Sequence, residues 1–286
     1  MNATDESATS TRIVGIGASA GGIEALKTLF GSMPPSTGMA FVVVLHLAPD
    51  HDSLLADILR GVTKMPVVQA TDGMEVKPNR IYVIAPGTGL TVARNRLAVH
   101  SQAEPKRHPF VVDLLFSSLA IALGDKAAGI VLSGTGNDGA LGLKAIRDAG
   151  GIAMAQGPDG GSTYFDGMPN AAIAVGAVDM FLPVGSMAER LLHLVAAPPP
   201  PADDLQPDGP AAGMDTYREA ICAILRDQLG HDFSGYKQAT FFRRVRRRMQ
   251  LFGLGFDDYI RYLDRLETKV GDGDQLSILP AVAGGA

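Results

Sequence analysis

One cysteine in 286 residues removes two chemistries at once. Cys222 has no second thiol for an internal disulfide and no CxxC neighbour, so neither a disulfide framework nor a cysteine zinc site can form, and a reducing compartment is expected. No run approaches the roughly 18 apolar residues of a membrane span. Met1–Thr11 is polar and carries Asp5 and Glu6, the opposite of a basic, apolar signal peptide. A cytoplasmic chain without membrane insertion is therefore expected. The net charge of −5 gives no global attraction to nucleic acid or anionic lipid, so any basic partner surface must be local. His46, His51, His100 and His108 share no element at metal-ligand spacing, so no metal site is expected. No internal repeat occurs at solenoid periods.

What is present is a core-forming composition, with 46% apolar residues and 34 glycines. From Arg12 to about Ala196, short β-branched runs alternate with longer stretches of helical period, the pattern of strand–helix–strand units around a mostly parallel, doubly wound α/β sheet. Strands are predicted at Arg12–Gly17, Ala40–Leu47, Pro66–Gln69, Ala128–Leu132 and Ile152–Ala155. Helices are predicted at Ile23–Phe30, Ser53–Gly61, Val111–Leu123, Ala140–Ala149 and Val184–Val195. Arg80–His100 differs: its pieces RIYVIA, LTVAR and RLAVH, separated by PGTG and Asn95, read as a small antiparallel ribbon added to the sheet.

Composition changes sharply near Ala197. APPPPADDLQPDGPAAG is proline-rich and aperiodic, which suits an extended, semi-stiff linker. The expected organisation is a domain over residues 12–196, a linker over 197–214, a small all-α domain over 215–270 and a tail over 271–286. Helices in the second domain are predicted at Asp215–Leu229, Lys237–Leu251 and Asp257–Glu267.

The stretch with most chemical promise is RIVGIGASAGG, Arg12–Gly22, where an apolar run breaks into a glycine-rich turn holding Ser19. That turn would present the serine hydroxyl at the carboxyl edge of the sheet, near free N–H groups at a helix start. A serine alone is inert, because it needs a base and the base needs an orienting acceptor. His46 closes the run FVVVL, and Asp138 lies in SGTGNDGA after the strand Ala128–Leu132. In an open parallel sheet the carboxyl ends share one side, where ligands bind. Each residue also has an ordinary structural explanation as turn or rim, and it is their joint placement that points to a Ser–His–Asp relay. Gly15, Gly17 and Ala20 also match the GxGxxA spacing of a dinucleotide turn, although His46 stands where an acidic ribose partner belongs. A non-catalytic module that binds a nucleotide or a receptor in the same crevice is the alternative.

VGIGASAGG, VVVLHLAPDH, YVIAPG, HPFVVDLLFSSLA and IVLSGTGNDGALGLKAIRDAGG, in that order, resemble the catalytic domain of the chemotaxis protein-glutamate methylesterases, the CheB family, over roughly Arg12 to Val195. The resemblance implies Ser19 as nucleophile, His46 as base and Asp138 as its orienting group, with the backbone N–H of Thr135 in the oxyanion hole. It implies hydrolysis of glutamate γ-methyl esters on the cytoplasmic helices of methylated chemoreceptors, with release of methanol and no cofactor. Two departures stand out. Ala20 follows the nucleophile where many members have threonine, and the amino-terminal receiver domain of many members is expected to be absent, which would leave inhibition in cis without a route.

Phe241–Phe252, FFRRVRRRMQLF, sets Phe241, Val245, Met249 and Phe252 on one helical stripe, with Arg243, Arg244, Arg246, Arg247 and Arg248 over the rest. No acidic residue lies between Lys237 and Arg248, so the local field is strongly positive. DQLGHDFSGYKQATFFRRVRRRMQLFGLGFDDYIRYLDRLE resembles the amino-terminal helical domain of the chemotaxis methyltransferases, the CheR family. That resemblance implies an acidic receptor bundle rather than nucleic acid as the partner of the arginines. No S-adenosylmethionine-binding sequence is expected after Leu279, so methyltransferase activity is not expected and the chain reads as the front part of an esterase–transferase fusion.

Overall fold

The computed structural model describes residues 11–46, 54–101, 110–158, 164–196 and 211–229, together with residues 234, 235, 238, 241, 242, 245, 249 and 254–264. The chain divides into two compact units, Met1–Arg190 and Leu191–Ala286.

The first unit is built on a seven-stranded sheet in the order β3-β4-β2-β1-β7-β8-β9. The strands are β1 (Arg12–Ala18), β2 (Met39–Leu45), β3 (Val67–Gln69), β4 (Arg80–Val83), β7 (Ala127–Val131), β8 (Ile152–Gln156) and β9 (Met180–Leu182). Every neighbouring pair runs parallel. β2 reads MAFVVVL and all seven residues are buried, as a strand covered by helices on both faces requires. The covering helices are α1 (Gly22–Gly31), α2 (Leu55–Arg60), α3 (Val111–Leu123), α4 (Ala140–Asp148) and α5 (Gly167–Ala174), and α6 (Val184–Ala196) follows β9 across the division between the units.

The doubly wound α/β expectation holds, and the five strands read from the sequence all exist. RIYVIA behaves otherwise than expected. Arg80–Val83 joins the parallel sheet, pairing Ala40 with Arg80 through Val43 with Val83 on one side and Val67 with Ile81 on the other. Its Ile81, Tyr82 and Val83 are fully buried, and only an interior strand supplies cover on both faces. The antiparallel ribbon consists of β5 (Thr88–Ala93) and β6 (Arg96–Ser101) alone. Arg94 and Asn95 both take positive φ in its two-residue turn, as a twist-matched hairpin needs. The ribbon leans on α3, where Ser118 Oγ accepts the Val92 N–H at 2.9 Å.

In the second unit α7 spans Ala211–Leu229 and α8 spans Phe256–Asp264, so helix begins four residues before the expected Asp215. Of Lys237–Leu251, the described residues Gln238, Phe241, Phe242, Val245 and Met249 are helical. Phe241, Phe242 and Val245 join Ile221, Leu225, Tyr259 and Leu263 in a small core of its own. The arginines at 243, 244, 246, 247 and 248 lie outside the described residues. Among the described residues no helix is long and apolar enough to cross a membrane.

Candidate active site

β1 lies between β2 and β7, so three carboxyl ends sit side by side. Ser19 is the first residue beyond β1 and His46 the first beyond β2. Asp138 lies in the turn between β7 and α4. Backbone bonds tie these ends together past the last ladder residues: His46 N–H donates to Ala18 O at 3.2 Å, Leu132 N–H to Gly17 O at 2.8 Å, and Ser19 N–H to Ser133 O at 3.0 Å. This is the place where strand order reverses direction and an open α/β sheet leaves a crevice.

His46 Nε2 lies 2.8 Å from Asp138 Oδ2. The imidazole is one third exposed, whereas the carboxylate retains only 4% of its side-chain exposure. A buried carboxylate needs donors on both oxygens, and α3 supplies them. Val112 N–H donates to Oδ2 at 2.9 Å and Asp113 N–H to Oδ1 at 2.9 Å. Phe110, the residue before α3, offers no side-chain cap, so a carboxylate from another turn serves the orphan N–H groups and lies in the field of the helix N-terminus. With Nε2 donating to Asp138, Nδ1 is the ring nitrogen left to accept a proton. Such a pair can orient and sustain an imidazolium.

Ser19 is half-buried, and its Oγ makes no hydrogen bond among the described residues. Of the three glycines around it, Gly21 takes the left-handed conformation at φ 75°, while Gly17 is required by close approach. A Cβ on Gly17 would stand 2.2 Å from Val112 Cγ1 and 3.0 Å from Cγ2. The space beside Gly15 and Gly17 is thus filled by Leu119, Phe116 and Val112 rather than open to a pyrophosphate, which tells against the dinucleotide turn. Gly17→Ala is expected to cost about 1–3 kcal/mol of unfolding free energy, because a β-branched neighbour cannot yield without moving the start of α3. Urea unfolding would show it as a lower midpoint at unchanged slope.

Thr135 is exposed in the turn after β7, and its N–H donates to no group among the described residues. Ser133, two residues earlier, is fully buried, which its place in a glycine-rich turn does not signal. Ser133 Oγ donates to Ala20 O at 2.8 Å and accepts Phe165 N–H at 2.8 Å, while its own N–H donates to Gln156 Oε1 at 2.8 Å. The nucleophile turn, the turn holding Asp138 and the approach to α5 are therefore pinned to one another. Serine in a glycine-rich turn reads as solvated, and only long-range pairing makes it a brace. Asp113 was also missed, because an acidic residue in the first turn of a helix ordinarily serves its own helix. No group of three His, Cys, Asp or Glu suited to a metal occurs among the described residues. His100 bonds Thr91 across the ribbon, and His51 and His108 lie outside the described residues.

Comparison with known proteins identifies the family of the chain. The family model described as CheB methylesterase matches residues 14–191, and that described as CheR methyltransferase, all-alpha domain, matches residues 218–270. A protein-glutamate methylesterase/protein-glutamine glutaminase 2 of Xanthomonas oryzae is 38% identical over 192 residues, covering 66% of this chain and 53% of the relative. A protein-glutamate methylesterase/protein-glutamine glutaminase of Yersinia pestis is 33% identical over 192 residues, covering 66% of this chain and 54% of the relative. The crystal structure of the Thermotoga maritima CheB methylesterase catalytic domain superposes with a TM-score of 0.58 at 29% identity, covering 65% of this chain and 99% of that one. The chain spans about half the length of the curated relatives it matches.

Proposed function

Because the chain belongs to the CheB methylesterase family, we propose that residues 12–196 form a serine esterase that hydrolyses glutamate γ-methyl esters on the cytoplasmic helices of chemoreceptors. The observation that supports this reading is the placing of Ser19, His46 and Asp138 at three adjacent strand ends, with His46 2.8 Å from a buried carboxylate that accepts backbone N–H groups of α3. His46 Nδ1 takes the proton of Ser19 Oγ as that oxygen attacks the ester carbonyl. The oxyanion is met by the Thr135 N–H, and the imidazolium, held by Asp138, returns the proton to the departing methoxide. Methanol leaves, water adds to the acyl-enzyme by the same base, and a free glutamate carboxylate results. Ala20 adds no hydroxyl to this set.

The names of the relatives pair the esterase with a glutaminase. The same acyl-enzyme would form from a glutamine side-chain amide, with ammonia leaving in place of methanol. Incubation with a methylated receptor fragment and with its glutamine form should release methanol and ammonia respectively, and a fluorophosphonate probe should label Ser19. A chain that takes neither label nor substrate would instead be the binding module that uses the crevice without hydrolysis.

For residues 215–270 we propose docking to the acidic surface of the receptor bundle through Arg243, Arg244, Arg246, Arg247 and Arg248. Support comes from the match to the CheR all-alpha domain and from the absence of acidic residues between Lys237 and Arg248. Nucleic acid is not the expected partner. Affinity for a receptor fragment, measured by titration calorimetry, is expected to fall at least about tenfold between 50 and 300 mM salt as the Debye length shrinks. Salt-independent binding would remove the arginines from the interface.

A further inference from the structure

The amino termini of α3 and α4 exchange caps. Asp138, two residues before α4, accepts the N–H groups of Val112 and Asp113 in the first turn of α3. Asp113, in that first turn of α3, accepts through Oδ1 the N–H of Gly142 in the first turn of α4 at 2.6 Å. The turn before α4 thus lends a carboxylate to α3, α3 lends one to α4, and neither helix is capped by the side chain of the residue that precedes it. The exchange needs the helices to cross closely. Gly142 permits it, since a Cβ there would stand 2.7 Å from Phe116 Cβ and 2.8 Å from both Asp113 Cα and Asp113 O.

Two carboxylates brought together in this way oppose one another. Burial raises Asp113 above its ordinary carboxylate pKa, the α4 backbone N–H groups pull it down, and the charge of Asp138 pushes it up again. What the arrangement fixes is the stretch Asn137–Gly142, which carries the only carboxylate bonded to His46 among the described residues. No bond between Asp113 and His46 or Ser19 is present among the described residues, so its effect on the site passes through Asp138.

We infer that Asp113 is a positioning residue that holds the first turn of α4, and through it Asp138, in register with His46. The inference rests on the proposed relay for its effect on turnover, but not for its effect on the His46–Asp138 bond.

The test therefore has two readouts on the full chain. The first is the downfield proton resonance of His46 Nε2–H, which reports the bond to Asp138 whether or not the chain is an esterase. The second is methanol release from a methylated receptor fragment, measured below the melting midpoint of each variant. Asp113→Ala is expected to lose the resonance and to lower kcat by about ten- to a hundredfold at nearly unchanged KM, the scale of a misplaced catalytic group. Asp113→Asn keeps an oxygen for Gly142 N–H and is expected to restore both readouts. In an Asp138→Ala background, Asp113→Ala should lower kcat no further, because the group it positions is gone. Should Asp113→Ala fail to fold, Asp113→Ser, too short to span the link yet suited to a first helical turn, takes its place.

A native resonance and native turnover in Asp113→Ala would overturn the inference. So would an Asp113→Asn variant as impaired as the alanine, or an additive loss in the double variant. A wild-type chain that shows the resonance, loses it in Asp113→Ala and regains it in Asp113→Asn, yet releases no methanol, would overturn the esterase proposal and leave the positioning role standing.

Discussion

Ser19→Ala is expected to abolish methanol release from methylated receptor, lowering kcat by at least about 10⁴-fold, while changing stability by no more than about 0.5 kcal/mol. The two halves of this expectation have different origins. Turnover falls because the variant lacks the oxygen that the proposed mechanism uses to form the acyl-enzyme. Stability holds because Ser19 Oγ has no hydrogen-bond partner among the described residues, so its removal orphans nothing. The backbone of the turn is fixed independently by Ser19 N–H on Ser133 O and by Gly22 N–H on Ser19 O. Methanol assays and a thermal melt on the same preparation check both halves. Turnover within tenfold of native would remove Ser19 from the mechanism.

Asp138→Asn is expected to have the opposite profile in one respect, since it costs both activity and stability. Both carboxylate oxygens accept backbone N–H groups, and Oδ2 also faces His46 Nε2. An amide must turn its NH₂ toward one of those donors. If it faces Nε2, the imidazole is pushed to the tautomer whose Nδ1 carries the proton, the base is blocked, and the Val112 N–H that shares Oδ2 is left without an acceptor. If it faces Asp113 N–H, a buried donor is left without an acceptor. A fall in kcat of about 10⁴-fold is expected from the tautomer effect, and a loss of about 1–3 kcal/mol from the orphaned donor. Methanol release and urea unfolding measure the two. A variant of native stability would mean that the two backbone bonds to Asp138 contribute little, and a variant of native activity would mean that Asp138 only caps α3.

The sequence made the local half of this visible. FVVVL ending in His46 reads as a buried strand with a residue at its carboxyl end, because a run apolar on both faces has few other uses. RIVGIGASAGG reads as strand, turn and helix for similar reasons. What stayed hidden depends on which distant segment a residue meets. RIYVIA has the same alternation whether it forms a hairpin or inserts between β2 and β3, and only the cover supplied by its neighbours decides. Met180–Leu182 is too short to show a period, and α5 carries Pro169 in its first turn. Ser133 and Asp113 look like ordinary turn and cap residues because the groups that they bind, Ala20 O, Phe165 N and Gly142 N, come from elsewhere in the chain. Asp138 was legible as a turn residue at a strand end, but its hold on α3 was not.

The placement of β1 between β2 and β7 also governs when the chemistry can begin. On a chain emerging from the ribosome, Ser19 and His46 are available early, and β1 can pair with β2 as soon as α1 has formed. Asp138 arrives only after the whole stretch from Leu45 to Ala127, which includes its anchoring Val112 and Asp113 N–H groups, has been made. That late, non-local step is the slow kind in folding. On the proposed relay, a nascent or partly folded chain carries a serine without a poised base, and the proposed hydrolysis would be withheld until the last of the three strands is in place. In refolding from urea, recovery of fluorophosphonate labelling should lag behind recovery of helix and report the docking of β7.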